Sequence, residues 1–225
     1  SFFGNRKIEQ RLRTKTNQPV MEVLIVAKTH MKNAACVGAL EISTRKNIRL
    51  LNDGGDNQPP NTDFQVGQIW DIEYTVRGNL IPPHNEDVII SKKKYLRTQN
   101  NLNTFLKNNA NVWSGDPTSI FENKVHFGIG KSGYVTNQVG VPSQSVGFWL
   151  PDKDLEFTIL DDQKHFFYFG EYNDLCAFPY VGYAPIIDKI KMETLIRVSL
   201  ARWWKPNPTI PETRCYCQLS GWYSD

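Results

Sequence analysis

The chain has 225 residues, 40% of them apolar and 22% charged, which is enough to bury a core and too apolar for a disordered segment. No run approaches the ~18 apolar residues of a membrane helix, and the first residues lack the apolar core of a secretory signal. The net charge of +3 is unevenly placed: residues 1–20 carry Arg6, Lys7, Arg11, Arg13 and Lys15 against Glu9, so residues 21–225 sum to −1. Overall charge thus gives no support to a nucleic-acid partner, and any such footprint must be a local patch.

Residues 1–20 are polar and basic and read as an N-terminal arm, or as an extension ahead of an internal start at Met21. Strand signals dominate from there. Glu22–Lys28 is apolar and β-branched, and Ala35–Ile42 and Asn47–Leu51 follow. Asn52–Asp63 is dense in Asn, Asp, Gly and Pro, which no regular element accommodates. In Val66–Val76, Ile69, Asp71, Glu73 and Thr75 point one way, and Trp70, Ile72, Tyr74 and Val76 the other. Past Pro82-Pro83, Asp87–Thr98 predicts another strand. About five short strands in this span suit a small barrel of the OB type better than a sandwich.

Residues 99–112 are where a helix is plausible, with Leu102, Phe105 and Leu106 at helical spacing among asparagines that weaken it. Strands resume at Lys124–Gly130, Ser145–Leu150, Leu155–Leu160, His165–Gly170 and Tyr180–Ile187. A closing hairpin pairs Leu195–Trp203 with Arg214–Trp222 around Pro206, Pro208 and Pro211. Strands and helices do not alternate, which argues against a parallel α/β fold. The expected fold is all-β: two OB-like small β-barrels in tandem, residues 21–98 and 118–225, joined by a short helical connector over 99–117.

The closing hairpin interleaves Arg197, Arg202, Lys205 and Arg214 with Trp203, Trp204, Tyr216, Trp222 and Tyr223. Cations beside flat rings neutralise phosphates and stack bases, as single-stranded nucleic acid requires. The same pattern describes a sheet with an aromatic core on one face and solvated charges on the other. Trp203 and Trp204 are adjacent, so on a regular strand one ring is core and the other faces something else. Lys92, Lys93, Lys94 and Arg97 form the densest cationic run. They serve phosphate contact or guard a sheet edge, and their strand either ends near Ile90 or lies at an edge. Lys189–Lys205 nets +4 and Asp152–Asp162 nets −4, giving a dipolar surface or an internal pairing.

Three other motifs have a chemical and a structural reading. Gly128–Gly133 contains Gly-Lys-Ser, but a phosphate-binding loop needs a further glycine where Val125 stands, and β-prone residues follow. A glycine-rich turn is the better reading. His84, Glu86 and Asp87 could serve a metal or acid–base chemistry, or a loop whose carboxylates orient amides and cations. Cys215-x-Cys217 lacks paired Cys-x-x-Cys knuckles, so with Cys36 and Cys176 these read as reduced, mostly buried thiols.

The segments LIVAKT, ACVGALEI, IRLL, VGQIWDIEY and PPHNEDV, with SLARWW and RCYCQLSGWY near the end, resemble a bacterial dual OB-fold-containing domain family. The resemblance covers most of Met21–Tyr223. It implies a nucleic-acid-binding module, often placed in prokaryotic defence or conflict systems, with no catalytic residues to carry over.

The expected function is non-catalytic binding of single-stranded or structured DNA or RNA in the cytoplasm, without cofactor or metal. The candidate contacts are Lys92, Lys93, Lys94, Arg97, Arg202, Trp203, Lys205 and Arg214. A protein-interaction adaptor is the second reading, and a metal-dependent hydrolase on His84, Glu86 and Asp87 the third. Fold alone does not choose among them.

Overall fold

In the computed structural model, which describes residues 19–128, 131–171 and 174–225, the apolar run after Met21 is a strand buried on both faces, β1 (Met21–Met31). Val23 and Ile25 enter one apolar core, and Leu24 and Val26 another. Side chains alternate along a strand, so an unbroken apolar run needs a core on each face. Of the expected basic arm, residues 1–20, all but the last two lie outside the described residues.

β2 (Ala34–Glu41), β3 (Asn47–Leu51), β4 (Gln68–Val76) and β5 (Asp87–Thr98) close with β1 into a barrel in the order β1-β2-β3-β5-β4. Pairing is antiparallel except between β3 and β5. Val37, Ala39, Ile48, Leu50, Phe64, Trp70, Ile72 and Val88 fill it. β5 runs its full length, but β3 accompanies it only as far as Leu51 opposite Ile89. Beyond that it keeps β4 alone, so the lysine run lies on an edge.

Helix α1 (Leu102–Asn109) follows, with Leu106 buried and Leu102 and Phe105 packed on the same core as Leu24 and Val26. An asparagine-rich helix this short depends on that packing. The Asp225 carboxylate accepts from the Thr104 amide at 3.1 Å, placing negative charge at the helix start.

The rest of the chain forms β6 (Val112–Gly115), β7 (His126–Phe127), β8 (Gly133–Thr136), β9 (Val146–Pro151), β10 (Leu155–Leu160), β11 (Gln163–Phe169), β12 (Leu175–Pro179), β13 (Lys189–Ile190), β14 (Leu195–Leu200) and β15 (Arg214–Tyr223). They make a six-stranded sheet, β6-β9-β14-β15-β8-β7, and a four-stranded one, β12-β11-β10-β13. Trp149, Phe166, Phe178, Ile196, Val198, Cys215, Cys217 and Leu219 lie in the core of this half. A third core joins the halves, where Leu24, Val26, Leu40 and Ile69 meet Phe148, Leu195 and Tyr223. The Tyr223 hydroxyl donates to Val26 O at 2.5 Å across that seam.

Three elements differ from expectation. Tyr180–Ile187 is not a strand; its place is taken by β12, just before it. Val181 instead bridges the halves, donating to Leu219 O and accepting from His30 N at 3.0 and 3.3 Å. A Cβ at Gly182 would stand 2.7 Å from Ser220 O, and the stretch meets its neighbours only through single bridges, Tyr180 with Leu219 and Gly182 with Thr29. Residues 112–115, read within the connector, form β6, parallel to β9. The closing hairpin's first strand stops at Leu200, not Trp203, because the Leu200 and Ala201 carbonyls face the His84 ring. Among the described residues no helix is long and apolar enough to cross a membrane.

Candidate nucleic-acid interface

Most of the edge cations have acidic partners. Lys92 pairs with Glu73 at 2.9 Å and Arg97 with Glu22 at 3.0 Å. Lys93 pairs with Asp63 and lies 4.6 Å from the centre of the Phe64 ring. Lys94 sits opposite Asp71 in the ladder, exposed, with no ion pair among the described residues. Exposed pairs of this kind stabilise little, but they lower the positive potential offered to a phosphate. Lys189 likewise sits 3.4 Å from both Asp154 and Glu156, so the basic and acidic runs partly neutralise each other.

The second half presents rings. Trp203 is half-buried against its core, and its Nε1 donates to Pro82 O at 2.8 Å. Trp204 is 54% exposed and rejoins β15, exchanging backbone hydrogen bonds with Arg214. Tyr216 opposes Tyr134 across β15–β8, and Tyr134 opposes His126 across β8–β7. The centroids step from Trp204 to Tyr216 to Tyr134 to His126 at 6.0, 5.7 and 6.0 Å. Alternation explains the row: Cys215, Cys217 and Val135 point into the core, so Tyr216 and Tyr134 point out. The Arg214 guanidinium lies 4.1 Å from the Tyr134 centroid and is anchored by Glu212 at 2.7 Å. Lys205 is exposed beside this row, and Arg202 reaches toward Asp87 at 3.5 Å.

His84, Glu86 and Asp87 have separate partners. His84 Nε2 lies 3.3 and 3.1 Å from the carbonyls of Leu200 and Ala201, so that nitrogen carries the proton. Burial lowers the His84 pKa, against the pull of those carbonyls and of Glu86. Glu86 accepts from the Ser145 amide and hydroxyl. Asp87 takes Arg49 through both carboxylate oxygens, at 2.5 and 2.6 Å. Asn85 Nδ2 donates to Ser143 O at 3.1 Å. The loop is a strap from the first barrel onto the second half. Among the described residues no three His, Cys, Asp or Glu side chains converge as metal ligands. Burial pushes the Cys215 thiol up to about 12, and Cys217 is raised too, so neither is a thiolate at neutral pH. The Gly-Lys-Ser segment lies partly outside the described residues, and it leads into strand β8, not a helix.

A family model described as a dual OB-containing domain matches residues 21–222. The chain belongs to that family. No curated protein matches it. Among solved structures, this dual OB chain is similar to the Ifi202 HINa domain in complex with 20-bp dsDNA, at 11% identity over 90% of this chain and 91% of that one, TM-score 0.30. It is also similar to the p204 HINb domain, at 10% identity over 90% and 97%, TM-score 0.31. A murine DNA-binding protein bound with dsDNA matches at 9% identity over 89% and 92%, TM-score 0.30.

In the sequence, Trp204 and Tyr216 stand out as rings of the closing hairpin and Arg214, Lys205 and Trp203 as candidate contacts, but nothing there brings Tyr134 or His126 to them. Tyr134 and Tyr216 become neighbours only when β8 pairs with β15, which no local pattern announces.

Proposed function

We propose that this dual OB domain is a non-catalytic nucleic-acid-binding module that holds an unpaired strand on its second half. The observation that carries the reading is the row Trp204–Tyr216–Tyr134–His126 with Arg214 laid over Tyr134. Rings stepped along a sheet face offer stacking surfaces to successive unstacked bases, and a duplex has no such bases to offer. Lys205 supplies exposed positive charge beside the row, and Arg214 lies over it while paired with Glu212; Arg202 is turned to Asp87 at the seam. Lys94 adds a cation on the first barrel with no ion pair among the described residues, whereas Lys92, Lys93 and Arg97 must first release acidic partners.

The test is fluorescence anisotropy with single-stranded DNA and RNA at ~50 mM salt, where phosphate neutralisation is strongest. Binding that weakens steadily with added salt and quenches tryptophan emission is the expected result. No binding at low salt to either polymer ends the proposal and leaves the ring row to a protein partner.

A further inference from the structure

A cavity of about 160 Å³ lies between the two halves, walled by β1, β2, β14, β15 and the 82–87 loop. Strand alternation dictates what faces it. In β14, Ile196, Val198 and Leu200 belong to the core of the second half, so Arg197 and Ser199 face the first barrel. In β2, Val37 and Ala39 are inside the barrel, so Gly38 faces Arg197 and Cys36 lines the cavity. The seam is therefore wholly apolar at the Leu24–Leu195–Tyr223 end and carries polar side chains set in a largely apolar lining at the other.

Arg197 is 4% exposed. Its Nε has no hydrogen-bond partner, and its guanidinium makes no ion pair among the described residues. Glu86 also lines the cavity but its carboxylate is engaged by Ser145, Asp87 is engaged by Arg49, Arg77 and Arg202, and Arg49 and Arg202 line the cavity beside Arg197. A buried charge without a partner is among the most destabilising features a fold can keep, and a guanidinium cannot shed its proton to escape. Ser199, Gln218 and Thr29 also line the cavity, their side chains without a hydrogen bond among the described residues. A buried, unmatched fork of donors with neutral donors around it fits an anion with several oxygens.

We infer that the cavity between the two halves binds a phosphoryl group, with Arg197 taking it as a bidentate partner and Ser199 and Gln218 completing the donor set. A carboxylate has two oxygens to offer, whereas a phosphoryl group has three and satisfies more of these donors. The cavity is smaller than the roughly 300–1,000 Å³ of sites that enclose a whole drug-sized ligand. The phosphoryl head alone enters, and the remainder of its bearer lies outside. The group comes from a small molecule or from the 5′ end of a strand. The inference does not depend on the ring row.

The experiment is thermal unfolding of the full chain, titrated with inorganic phosphate, adenosine 5′-monophosphate and, as controls, adenosine and chloride at matched ionic strength. A dose-dependent rise in Tm with the two phosphate probes alone is expected. Arg197→Met, neutral and of similar length, is expected to remove the shift, and Arg197→Lys to weaken affinity roughly tenfold by losing the planar fork. No shift in the wild type, or an equal shift in Arg197→Met, overturns the inference; if Arg197→Met fails to fold, the wild-type titration and Arg197→Lys decide. A short strand with and without a 5′ phosphate then separates the sources. Tighter binding of the phosphorylated strand, lost in the Arg197 variants, assigns the site to strand ends. Equal binding of both strands alongside a shift with the monophosphate assigns it to a small molecule. Binding of the unphosphorylated strand reports on the ring row alone, so failure of one reading is distinguishable from failure of the other.

Discussion

The Arg197 guanidinium rests on Gly38 so closely that a Cβ at Gly38 would stand 2.7 Å from both terminal nitrogens. Only glycine leaves the guanidinium in that position. Gly38→Ala displaces the far end of a flexible side chain, not backbone, so its effect on stability is small, within about 1 kcal/mol. It is expected to weaken phosphate affinity roughly tenfold in the same titration, because the fork can no longer lie flat in the cavity. In an Arg197→Met background the same change does nothing further, which a double-mutant cycle measures. Unchanged phosphate affinity in Gly38→Ala would show that the guanidinium's position does not matter.

What could be read in advance depended on whether the partner was local. The Glu22–Lys28 run announced a strand without saying that both its faces are buried, and Lys92–Lys94 left two readings, a strand ending near Ile90 or one lying at an edge, of which the second is found. The closed barrel followed from strand count and turn chemistry. The strap role of Pro82–Asp87 was only one of its two readings, since Ser145, Leu200 and Trp203 lie far along the chain. Tyr180–Ile187 has strand-like residues, but Gly182 serves a close approach to Ser220 that composition does not encode. Arg197 is visible as the one charge inside LIRVSL, whereas its lack of a partner exists only once the two halves meet.

His84 makes stability pH-dependent in a defined window. Burial lowers its pKa in the folded protein below the ordinary 6.5, and Nε2–H is committed to two carbonyls of the second half. Between the two values the unfolded chain binds more protons than the folded one. The contribution is therefore present above about pH 6.5 and is lost as pH falls through it toward the folded pKa. Denaturant midpoints taken from pH 7 down to pH 5 should decline, and His84→Gln should flatten part of the decline. The groups facing His84, Glu86 and Arg49, oppose each other in sign and do not reverse the effect. Identical slopes in wild type and variant would remove His84 from the account.

Glu86 tests the strap itself. Its buried carboxylate satisfies both the amide and the hydroxyl of Ser145, so Glu86→Ala leaves a buried amide without its acceptor. A loss of about 2–3 kcal/mol is expected from charge-assisted bonds of this kind, read by urea unfolding. Glu86→Gln keeps an acceptor oxygen and should lose about half as much. Because the strap joins the halves, limited proteolysis of Glu86→Ala should open the 99–117 region sooner than in wild type. A Glu86→Ala protein that unfolds and is cleaved like wild type would mean the seam is held by its apolar core alone.

Trp204 and the edge lysines separate stacking from plain electrostatics. Trp204→Ala removes the most exposed ring of the row, and stacking of one base is worth about 1–3 kcal/mol, so affinity for single strands should fall by roughly fivefold to a hundredfold. The salt dependence should keep its slope, because no phosphate contact is lost. Arg214→Gln, which removes a cation held over the ring row but already matched by Glu212, should weaken binding modestly and flatten that slope slightly, and it should also release the Tyr134 ring it covers. Lys92→Ala and Lys93→Ala remove cations already matched by Glu73 and Asp63, and should change affinity less than about twofold. Lys94→Ala, which removes a cation without such a match, should cost more than either. If the lysine variants lose more affinity than Trp204→Ala, the strand runs over the first barrel and the ring row is not its platform.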